Sequence, residues 1–324
     1  MSRPDPHRIE VSTAPGYVVH VGQGLGPHLV EWLEGSLRAA RYALVTDTNV
    51  AATHAKALGR RMRRAGLDVL EVVFDAGEAH KTRETKQHVE DRLLEAGLGR
   101  DAAIVSVGGG VVTDLAGFTA ATFLRGIPHV PVPTTLLGMV DASIGGKTGV
   151  DHPRGKNLIG AFHQPAAVFA DVAHLEGLGD RQFRSGLAEA IKAAVIRDGE
   201  LLDRLVSEAA GIKGRDPALL AGIIARACAI KAEVVSADEK EGDLRKILNF
   251  GHTIGHAVEK VSGYKLTHGE AISIGMAVES RIAVKRGLLA PAYAEAIRAA
   301  LEAFDLPVAL PSDEPALSPE AILA

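Results

Sequence analysis

The first half of the chain alternates short apolar runs, rich in β-branched residues, with stretches of helical periodicity. A β-branched run bounded by glycine or polar turn residues predicts a buried strand. Such runs occupy residues 17–22, 42–47, 69–74, 102–108 and 129–133. Strands separated by helices predict a parallel sheet with right-handed crossovers, and ligands of such sheets bind beyond the carboxyl ends of the strands.

The second half has the spacing of apolar residues that is typical of helices, after one last strand-like run at 167–170. The predicted helices cover residues 183–197, 200–208, 217–239, 253–261, 272–286 and 292–304. We therefore expect an α/β domain with a parallel sheet at residues 1–173 and an all-α domain at residues 174–324. Prolines 307, 311, 315 and 319 predict an extended tail.

Composition and charge exclude several classes of protein. The 324 residues, 47% of them hydrophobic, are enough for two globular cores. The formal net charge of −4 argues against a nucleic-acid-binding protein, and the sequence has no apolar run long enough for a membrane span. A polar N-terminus without an apolar signal segment favours a cytoplasmic protein. The single cysteine, Cys228, excludes internal disulfides and thiolate metal cages.

Three consecutive glycines, 108 to 110, follow a predicted strand and mark one candidate site. Glycines at a strand-to-helix turn let the backbone approach a pyrophosphate, whose charge then faces the helix N-terminus. Asp114 follows near the start of the predicted helix. The spacing differs from the G-x-G-x-x-G fingerprint, so a plain tight turn remains an alternative to dinucleotide binding.

Lys147 lies in a glycine-flanked segment that is similar to a P-loop, but Asp141 stands where the first glycine of that motif would be. A nucleoside triphosphate site is therefore excluded. Lys156 and Asn157 follow closely, so two ammonium groups and an amide are expected to converge on an anion such as a phosphate monoester. The alternative is a solvated loop with ordinary lysines.

Three histidines within 17 residues, His252, His256 and His268, form the densest group of candidate ligands. His252 and His256 are four residues apart and share a helix face, which predicts a site for a metal or a phosphate. Upstream, Glu189 and Lys192 share another helix face. A carboxylate and two imidazoles with an open position are typical of a catalytic zinc site.

Other cations are candidates for binding an anionic substrate. Lys231 lies in an otherwise apolar helical run, where it would either snorkel to water or join Lys192 in binding a carboxylate. Arg245 precedes Asn249 by one helical turn. Arg125 is a further candidate anion contact, although a lone arginine is most often a surface residue.

Over about residues 47–277, the chain resembles the 3-dehydroquinate synthase family. The resemblance rests on the motifs GGGVVTD at 108–114, FLRG at 123–126, PTTLL at 133–137, VDASIGGK at 140–147, GKN at 155–157, GLAEAIK at 186–192 and NFGHTIGH at 249–256. It implies a Rossmann-like NAD-binding domain followed by a helical metal-binding domain, with the active site between them.

The resemblance also implies roles for individual residues. Zinc, or cobalt in its place, would be bound by Glu189, His252 and His268, while His256 would contact the substrate phosphate instead of the metal. NAD would lie against Asp47, Asn49, Glu78, Lys81, Gly109, Gly110, Asp114, Thr134, Thr135, Lys147 and Lys156. The substrate pocket would contain Asp141, Lys147, Lys156, Asn157, Lys192, Lys231, Arg245, Asn249 and His256, with Arg125 supplied by the partner subunit of a homodimer.

The implied reaction converts a small sugar phosphate, 3-deoxy-D-arabino-heptulosonate 7-phosphate, to 3-dehydroquinate and phosphate in the shikimate pathway. Other sugar-phosphate cyclases and iron-type alcohol or glycerol dehydrogenases are the alternatives, and a non-catalytic NAD- or metal-binding protein is a more distant one. Such dehydrogenases would lack the set formed by Lys147, Lys156 and Asn157. The resemblance also implies a basic segment beyond Ala324 and a threonine where this chain has Gly177.

Overall fold

The computed structural model describes residues 5–311, so Pro315 and Pro319 of the predicted tail lie outside the described residues. The strands are β1 (His7–Val11), β2 (Tyr17–Gly22), β3 (Arg41–Asp47), β4 (Val69–Phe74), β5 (Ala102–Gly108), β6 (His129–Pro133), β7 (Lys147–His152), β8 (Gly155–Phe162) and β9 (Val168–Asp171). The α-helices are α1 (Gly26–Trp32), α2 (Lys56–Arg64), α3 (Arg83–Glu95), α4 (Gly110–Thr122), α5 (Asp180–Arg197), α6 (Gly199–Ser207), α7 (Ala209–Lys213), α8 (Pro217–Ala237), α9 (His252–Val261), α10 (His268–Lys285) and α11 (Pro291–Ala303).

The parallel sheet predicted for the first half is confirmed. Its strand order is β4-β3-β5-β6, with parallel pairing throughout. The predicted bounds match β2, β4, β5 and β6, and β3 begins one residue earlier than predicted. Because the strands are parallel, Asp47, Gly108 and Pro133 end at one edge of the sheet, and Thr134 N donates to Gly108 O at 2.9 Å. This edge is where a ligand of an open α/β sheet binds.

Three strands were not predicted from the sequence. β1 pairs antiparallel with β2, which in turn runs parallel to β9. β7 and β8 form an antiparallel hairpin, so the alternative of a solvated loop for Lys147 and Lys156 is wrong. The sequence pattern is weak here because the β8 residues are exposed or half-buried, and an exposed strand shows no regular alternation of apolar residues.

The second half is helical, as predicted, with α7 as an additional short helix. Helix α8 packs against β1 and β2, so the largest apolar core contains Val11 and Val19 together with Ile223 and Ile224. The boundary near residue 173 stays a prediction, because this core includes residues from both sides of it. Within residues 5–311, no helix combines the length and apolar composition that crossing a membrane requires.

His129, on β6, is a buried histidine inside the parallel sheet. It is 2% exposed, and its Nε2 lies 2.8 Å from Ser106 Oγ. Burial, assisted by nearby His163, lowers the pKa of His129 from 6.5 to about 3. Between these values the folded protein binds fewer protons than the unfolded chain. The stability that this ring contributes is therefore complete above about pH 6.5 and is lost as the pH falls toward 3.

We expect His129 to make the free energy of unfolding fall by up to about 1.4 kcal/mol per pH unit below its unfolded pKa. Urea unfolding of the wild type and His129→Gln between neutral pH and pH 4 would measure this. The variant cannot titrate at this position, so its unfolding free energy should depend less steeply on pH. Equal slopes for the two proteins would contradict the prediction.

Candidate active site

The side chains of Glu189, His252 and His268 meet where α5, α9 and α10 come together. Glu189 lies in the middle of α5, while His252 and His268 are the first residues of α9 and α10. His252 Nε2 lies 3.4 Å and His268 Nε2 lies 3.2 Å from Glu189 Oε1. The candidate ligand atoms of the three residues all lie within 4.8 Å of one another. The structure thus brings together the residues that the resemblance assigned to zinc.

Two glycines on α10 allow these helices to approach so closely. A Cβ atom on Gly269 would lie 2.2 Å from Ser185 O of α5, and one on Gly275 would lie 1.9 Å from Gly251 O, just before α9. Gly269 N also donates to Ser185 Oγ at 2.9 Å. Any larger residue at these positions would push α10 away from the helix that carries its partner ligand.

We expect Gly269→Ala to weaken cobalt binding at least about tenfold and to lower the free energy of unfolding by about 1–3 kcal/mol, because α10 must move away from α5. Cobalt titration and urea unfolding would measure the two effects. Gly199→Ala is the matched control, since a Cβ atom there meets nothing within 4 Å. Wild-type cobalt affinity in Gly269→Ala would show that the close approach is not needed.

Caps fix the points at which the two ligand-bearing helices begin. Thr267 and Glu270 form a capping box at the start of α10, so His268 is its first residue. The N-cap residue of α9 is Gly251, which has no side chain that could cap the helix. Instead, Glu279 of α10 accepts a hydrogen bond from Gly251 N at 2.7 Å. The backbone positions of both ligand histidines are therefore held by side chains of α10 or its cap.

The electrostatics of the cluster fit a divalent cation. Burial alone would raise the pKa of Glu189, but Lys192, 2.5 Å away, and the two imidazoles hold it well below its ordinary value. Burial lowers the pKa of His252 to about 4, which leaves a neutral ring with a free lone pair. Burial also opposes a charge on His268, yet the hydrogen bond to Glu189 and the nearby carboxylate of Glu259 raise its pKa to about 9. The carboxylates thus favour positive charge between them, and one carboxylate with two imidazoles is a donor set for zinc.

His256 lies one helical turn after His252, as the spacing predicts, and the two ring centroids are 5.1 Å apart. His256 is exposed, whereas the His252 side chain is only 13% exposed. His256, Glu259 and His268 form a second group with ligand atoms within 4.8 Å of one another.

Each lysine of the predicted site is paired with a carboxylate. The pairs are Lys81 with Asp114 at 2.6 Å, Lys147 with Glu241 at 2.5 Å, Lys156 with Glu259 at 2.6 Å, Lys192 with Glu189 at 2.5 Å, and Lys231 with Asp141 at 2.5 Å. Lys81 and Lys192 are 3% exposed, and Lys231 is 8% exposed. A buried ammonium needs such a partner to stay charged. The paired carboxylates therefore keep these lysines charged, so that they can bind an anionic ligand.

Lys147 and Lys156 contact different partners in this structure, and their convergence on one anion stays a prediction. Lys147 pairs with Phe162 at the open end of the β7–β8 hairpin, whereas Lys156 follows Gly155 beside the turn. About four residues of strand, roughly 13 Å, separate the two backbone positions. The two lysines also contact different carboxylates, and they belong to separate parts of the site.

The two arginines of the predicted site have different environments. Arg245 is 2% exposed, and its guanidinium donates to the backbone oxygens of Gly145, at 3.1 Å, and Glu239. It holds the segment before β7 in this structure. Arg125 is exposed and has a left-handed backbone, as does Leu124. Within the described range, the Arg125 side chain has no hydrogen bond or ion pair.

The residues predicted to bind NAD lie along the carboxyl edge of the parallel sheet. Asp47 ends β3, Glu78 and Lys81 follow β4, Gly109 and Gly110 begin α4, and Thr134 and Thr135 follow β6. Asp47 accepts a hydrogen bond from Asn49 N at 3.0 Å. Lys81 Nζ contacts Asp114 and also Asn157 Oδ1, at 2.5 Å. The first turn of α4 has no side-chain cap, so its N–H groups are free to bind a phosphate.

A cavity of about 210 Å³ lies at the same edge, and sequence reasoning missed two of its residues. His54 and His174 line it, with their ring centroids 4.5 Å apart. Apolar walls come from Val107, Val132 and Phe169, among others. Because the two histidines are 120 positions apart in the sequence, no spacing signal could have linked them.

Two carboxylates of the site were also missed. Glu241 accepts hydrogen bonds from Lys147 Nζ at 2.5 Å and from Asn249 Nδ2 at 3.1 Å. Glu259 lies three residues after His256 on α9, so helical periodicity could have placed it on the ligand face. Glu241 lies between α8 and α9, where no periodic pattern exists.

Comparison with known proteins identifies the family. The profile described as 3-dehydroquinate synthase N-terminal matches residues 71–185, and the one described as 3-dehydroquinate synthase C-terminal matches residues 186–323. The 3-dehydroquinate synthase of Symbiobacterium thermophilum is 47% identical over 297 residues, which cover 91% of this chain and 83% of that protein.

Two solved structures share the fold. The 2-epi-5-epi-valiolone synthase ValA of Streptomyces hygroscopicus, with NAD+ and Zn2+ bound, has a TM-score of 0.85 and 32% identity, covering 95% of this chain and 84% of that one. A 2-deoxy-scyllo-inosose synthase complexed with carbaglucose-6-phosphate, NAD+ and Co2+ has a TM-score of 0.89 and 27% identity, covering 98% and 85%. Both are cyclases with other products. The two matched profiles and the bacterial relative, in contrast, are all described as 3-dehydroquinate synthase. The chain therefore belongs to the 3-dehydroquinate synthase family.

Proposed function

We propose that this protein is a 3-dehydroquinate synthase, which converts 3-deoxy-D-arabino-heptulosonate 7-phosphate to 3-dehydroquinate and phosphate. One observation carries the proposal: the cluster of Glu189, His252 and His268 lies among paired lysines in a chain of this family. The substrate is a sugar phosphate with a carboxylate, and a molecule with these two anionic groups needs several cations for its binding.

NAD and a divalent metal are the cofactors of this function. When bound, NAD accepts and returns a hydride, and the metal acts as a Lewis acid on a substrate oxygen. Glu189, His252 and His268 would hold the metal. The free N–H groups at the start of α4 would bind the pyrophosphate, and Asp47 would bind ribose hydroxyls. The adenine ring would lie in the cavity walled by His54 and apolar side chains.

The remaining polar residues would bind and orient the substrate. Lys147 and Asn249 share Glu241 in this structure, so a substrate phosphate would replace that carboxylate as their partner. His256, exposed beside His252, would donate to the same phosphate. Lys192 and Lys231, buried next to the metal cluster, would orient the carboxylate and the ring hydroxyls. A substrate fixed at both ends has its own phosphate in place to accept a proton.

The proposed function is tested by incubating the protein with the heptulosonate phosphate, catalytic NAD and zinc. We expect release of phosphate together with formation of dehydroquinate, without net production of NADH. Conversion of the added NAD to NADH without phosphate release would instead indicate a dehydrogenase. Phosphate release from a different sugar phosphate, with none from this substrate, would indicate another cyclase.

Removal of the metal is expected to abolish turnover. EDTA treatment should reduce phosphate release to background, and added zinc or cobalt should restore it, because the reaction needs a Lewis acid at the substrate oxygen. The measurement is phosphate release before and after chelation, with NAD binding followed as a control for folding. Turnover that resists chelation would contradict the metal role.

Arg125 supports a homodimer as part of the proposal. Its exposed position and left-handed backbone fit a side chain presented to a neighbouring subunit. If Arg125 acts across the interface, Arg125→Ala and Lys147→Ala should each lose most of their activity, yet a mixture should regain activity through hybrid dimers with one intact site. A monomer in light scattering, or no recovery in the mixture, would contradict this. A cytoplasmic location stays a prediction.

A further inference from the structure

Glu259 lies between the proposed metal cluster and Lys156, and neither the sequence motifs nor the function above gives it a role. It is on α9, on the same face as His256, and is 5% exposed. Its two carboxylate oxygens point in different directions. Oε2 lies 3.6 Å from His268 Nδ1, while Oε1 accepts a hydrogen bond from Lys156 Nζ at 2.6 Å.

The contact with His268 bears on which ring nitrogen can bind a metal. His268 Nε2 faces Glu189 Oε1 at 3.2 Å, so it is the nitrogen directed into the cluster. A neutral ring that binds a cation through Nε2 carries its proton on Nδ1, and that N–H needs an acceptor. Among the ion pairs of residues 5–311, Glu259 is the carboxylate that meets Nδ1 within 4.0 Å. It can therefore fix both the tautomer and the rotation of this ring.

The contact with Lys156 is made by the other carboxylate oxygen of Glu259. Lys156 Nζ lies 2.6 Å from Glu259 Oε1, 3.6 Å from Glu78 Oε1 and 4.6 Å from the centre of the Tyr264 ring. Of these contacts, the one to Glu259 is the short, charge-assisted hydrogen bond. One buried carboxylate therefore contacts both a candidate metal ligand and a cation of the substrate and NAD site.

A second cation site is the competing explanation, because His256, Glu259 and His268 also group within 4.8 Å. That site would need His268 to bind two cations at once, one through each ring nitrogen. A role of Glu259 in orienting His268 is consistent with its observed contacts to both His268 and Lys156. The geometry therefore favours this role over a second cation site.

We propose that Glu259 is a positioning residue that fixes His268 for metal binding through Nε2 and, with its other oxygen, fixes the ammonium of Lys156. The inference rests on the proposed function, since it takes Glu189, His252 and His268 to be the metal ligands. It predicts that loss of the Glu259 charge weakens metal binding even though Glu259 does not touch the metal.

The test is a cobalt titration followed by visible absorption, in the wild type, Glu259→Gln, Lys156→Met and Glu90→Gln. We expect Glu259→Gln to bind cobalt about 10- to 100-fold more weakly, with an altered spectrum, as for other partners of metal-bound histidines. Lys156→Met should keep cobalt affinity, because the His268 contact is intact. Glu90→Gln should match the wild type, because within residues 5–311 this carboxylate contacts Lys86 and Thr122 and not His268.

Wild-type affinity and spectrum in Glu259→Gln would overturn the inference. So would a Lys156→Met variant as weak as Glu259→Gln, since the effect would then come from the lysine pair. A wild-type protein whose cobalt binding is absent, or is unaffected by Glu189→Gln, would instead overturn the proposed metal centre. Nitrogen-15 NMR of the zinc-loaded wild type tests the proposal without relying on a variant that must fold. We expect the Nδ1–H tautomer of His268. The Nε2–H tautomer would refute the proposal.

Discussion

Glu189→Gln is expected to abolish zinc and cobalt binding and to lower turnover by about three orders of magnitude, equivalent to about 4 kcal/mol of transition-state stabilisation. Glu189 is 2% exposed, and one of its oxygens lies within 3.4 Å of both ligand imidazoles. A neutral amide cannot replace the negative charge among these groups. Metal content after dialysis and the rate of phosphate release would measure the two effects.

The same change leaves Lys192 buried without its carboxylate, which is expected to cost about 3–5 kcal/mol of stability. The double variant Glu189→Gln/Lys192→Met separates loss of stability from loss of metal. We expect it to recover much of the unfolding free energy and still to bind no zinc. Glu90→Gln, which removes the partner of a more exposed lysine, is the control and should retain activity. Zinc bound at wild-type affinity in Glu189→Gln would remove Glu189 from the ligand set.

Lys147→Ala is expected to lower turnover by about 10- to 100-fold, because a charge-assisted hydrogen bond to the substrate phosphate is lost. Its ammonium faces Glu241 from the C-terminal half and not the glycine turn before α4. The effect on NAD affinity should therefore be smaller than the effect on turnover. Steady-state kinetics and NAD titration of the same preparation would measure both.

The Lys147 side chain is 50% exposed, so the variant should unfold at the wild-type urea concentration. Lys246→Ala is the matched control, since it removes another exposed lysine from the neighbouring segment. If Lys147→Ala turned over substrate at the wild-type rate, the start of β7 would have no part in binding the phosphate.

The elements that could be predicted from the sequence are those whose local pattern reflects burial. Strands β5 and β6 are buried along their full length, and their apolar runs gave the observed bounds. Strand β8 is mostly exposed or half-buried, and β1 is buried mainly at its last residue, Val11, so neither has a clear pattern. Strand β8 forms by pairing with β7, and β1 forms by pairing with β2. Such pairing depends on residues outside a short window of sequence, so a local pattern cannot predict it.

The candidate site shows the same division. Spacing alone placed His252 and His256 on one helix face but left open whether they bind a metal or a phosphate. The resemblance selected Glu189, His252 and His268, and the structure brings these side chains together. Neither source indicated Glu241, whose contacts to Lys147 and Asn249 join distant segments. The sequence spacing of Lys147 and Lys156 did not show that they lie towards opposite ends of one hairpin, each paired with a different carboxylate.

The sequence by itself determined the α/β and helical halves, the glycine turn at the sheet edge, and the residue types that can bind a metal and an anion. Periodicity and local sterics act over a few residues, so a short window of sequence contains them. Only the tertiary structure decided that Glu189 meets two histidines more than 60 positions away, and that Glu259 contacts both His268 and Lys156. Those contacts depend on the close approach of α10 to α5 and α9 at Gly269 and Gly275, and packing of this kind is decided by the whole fold.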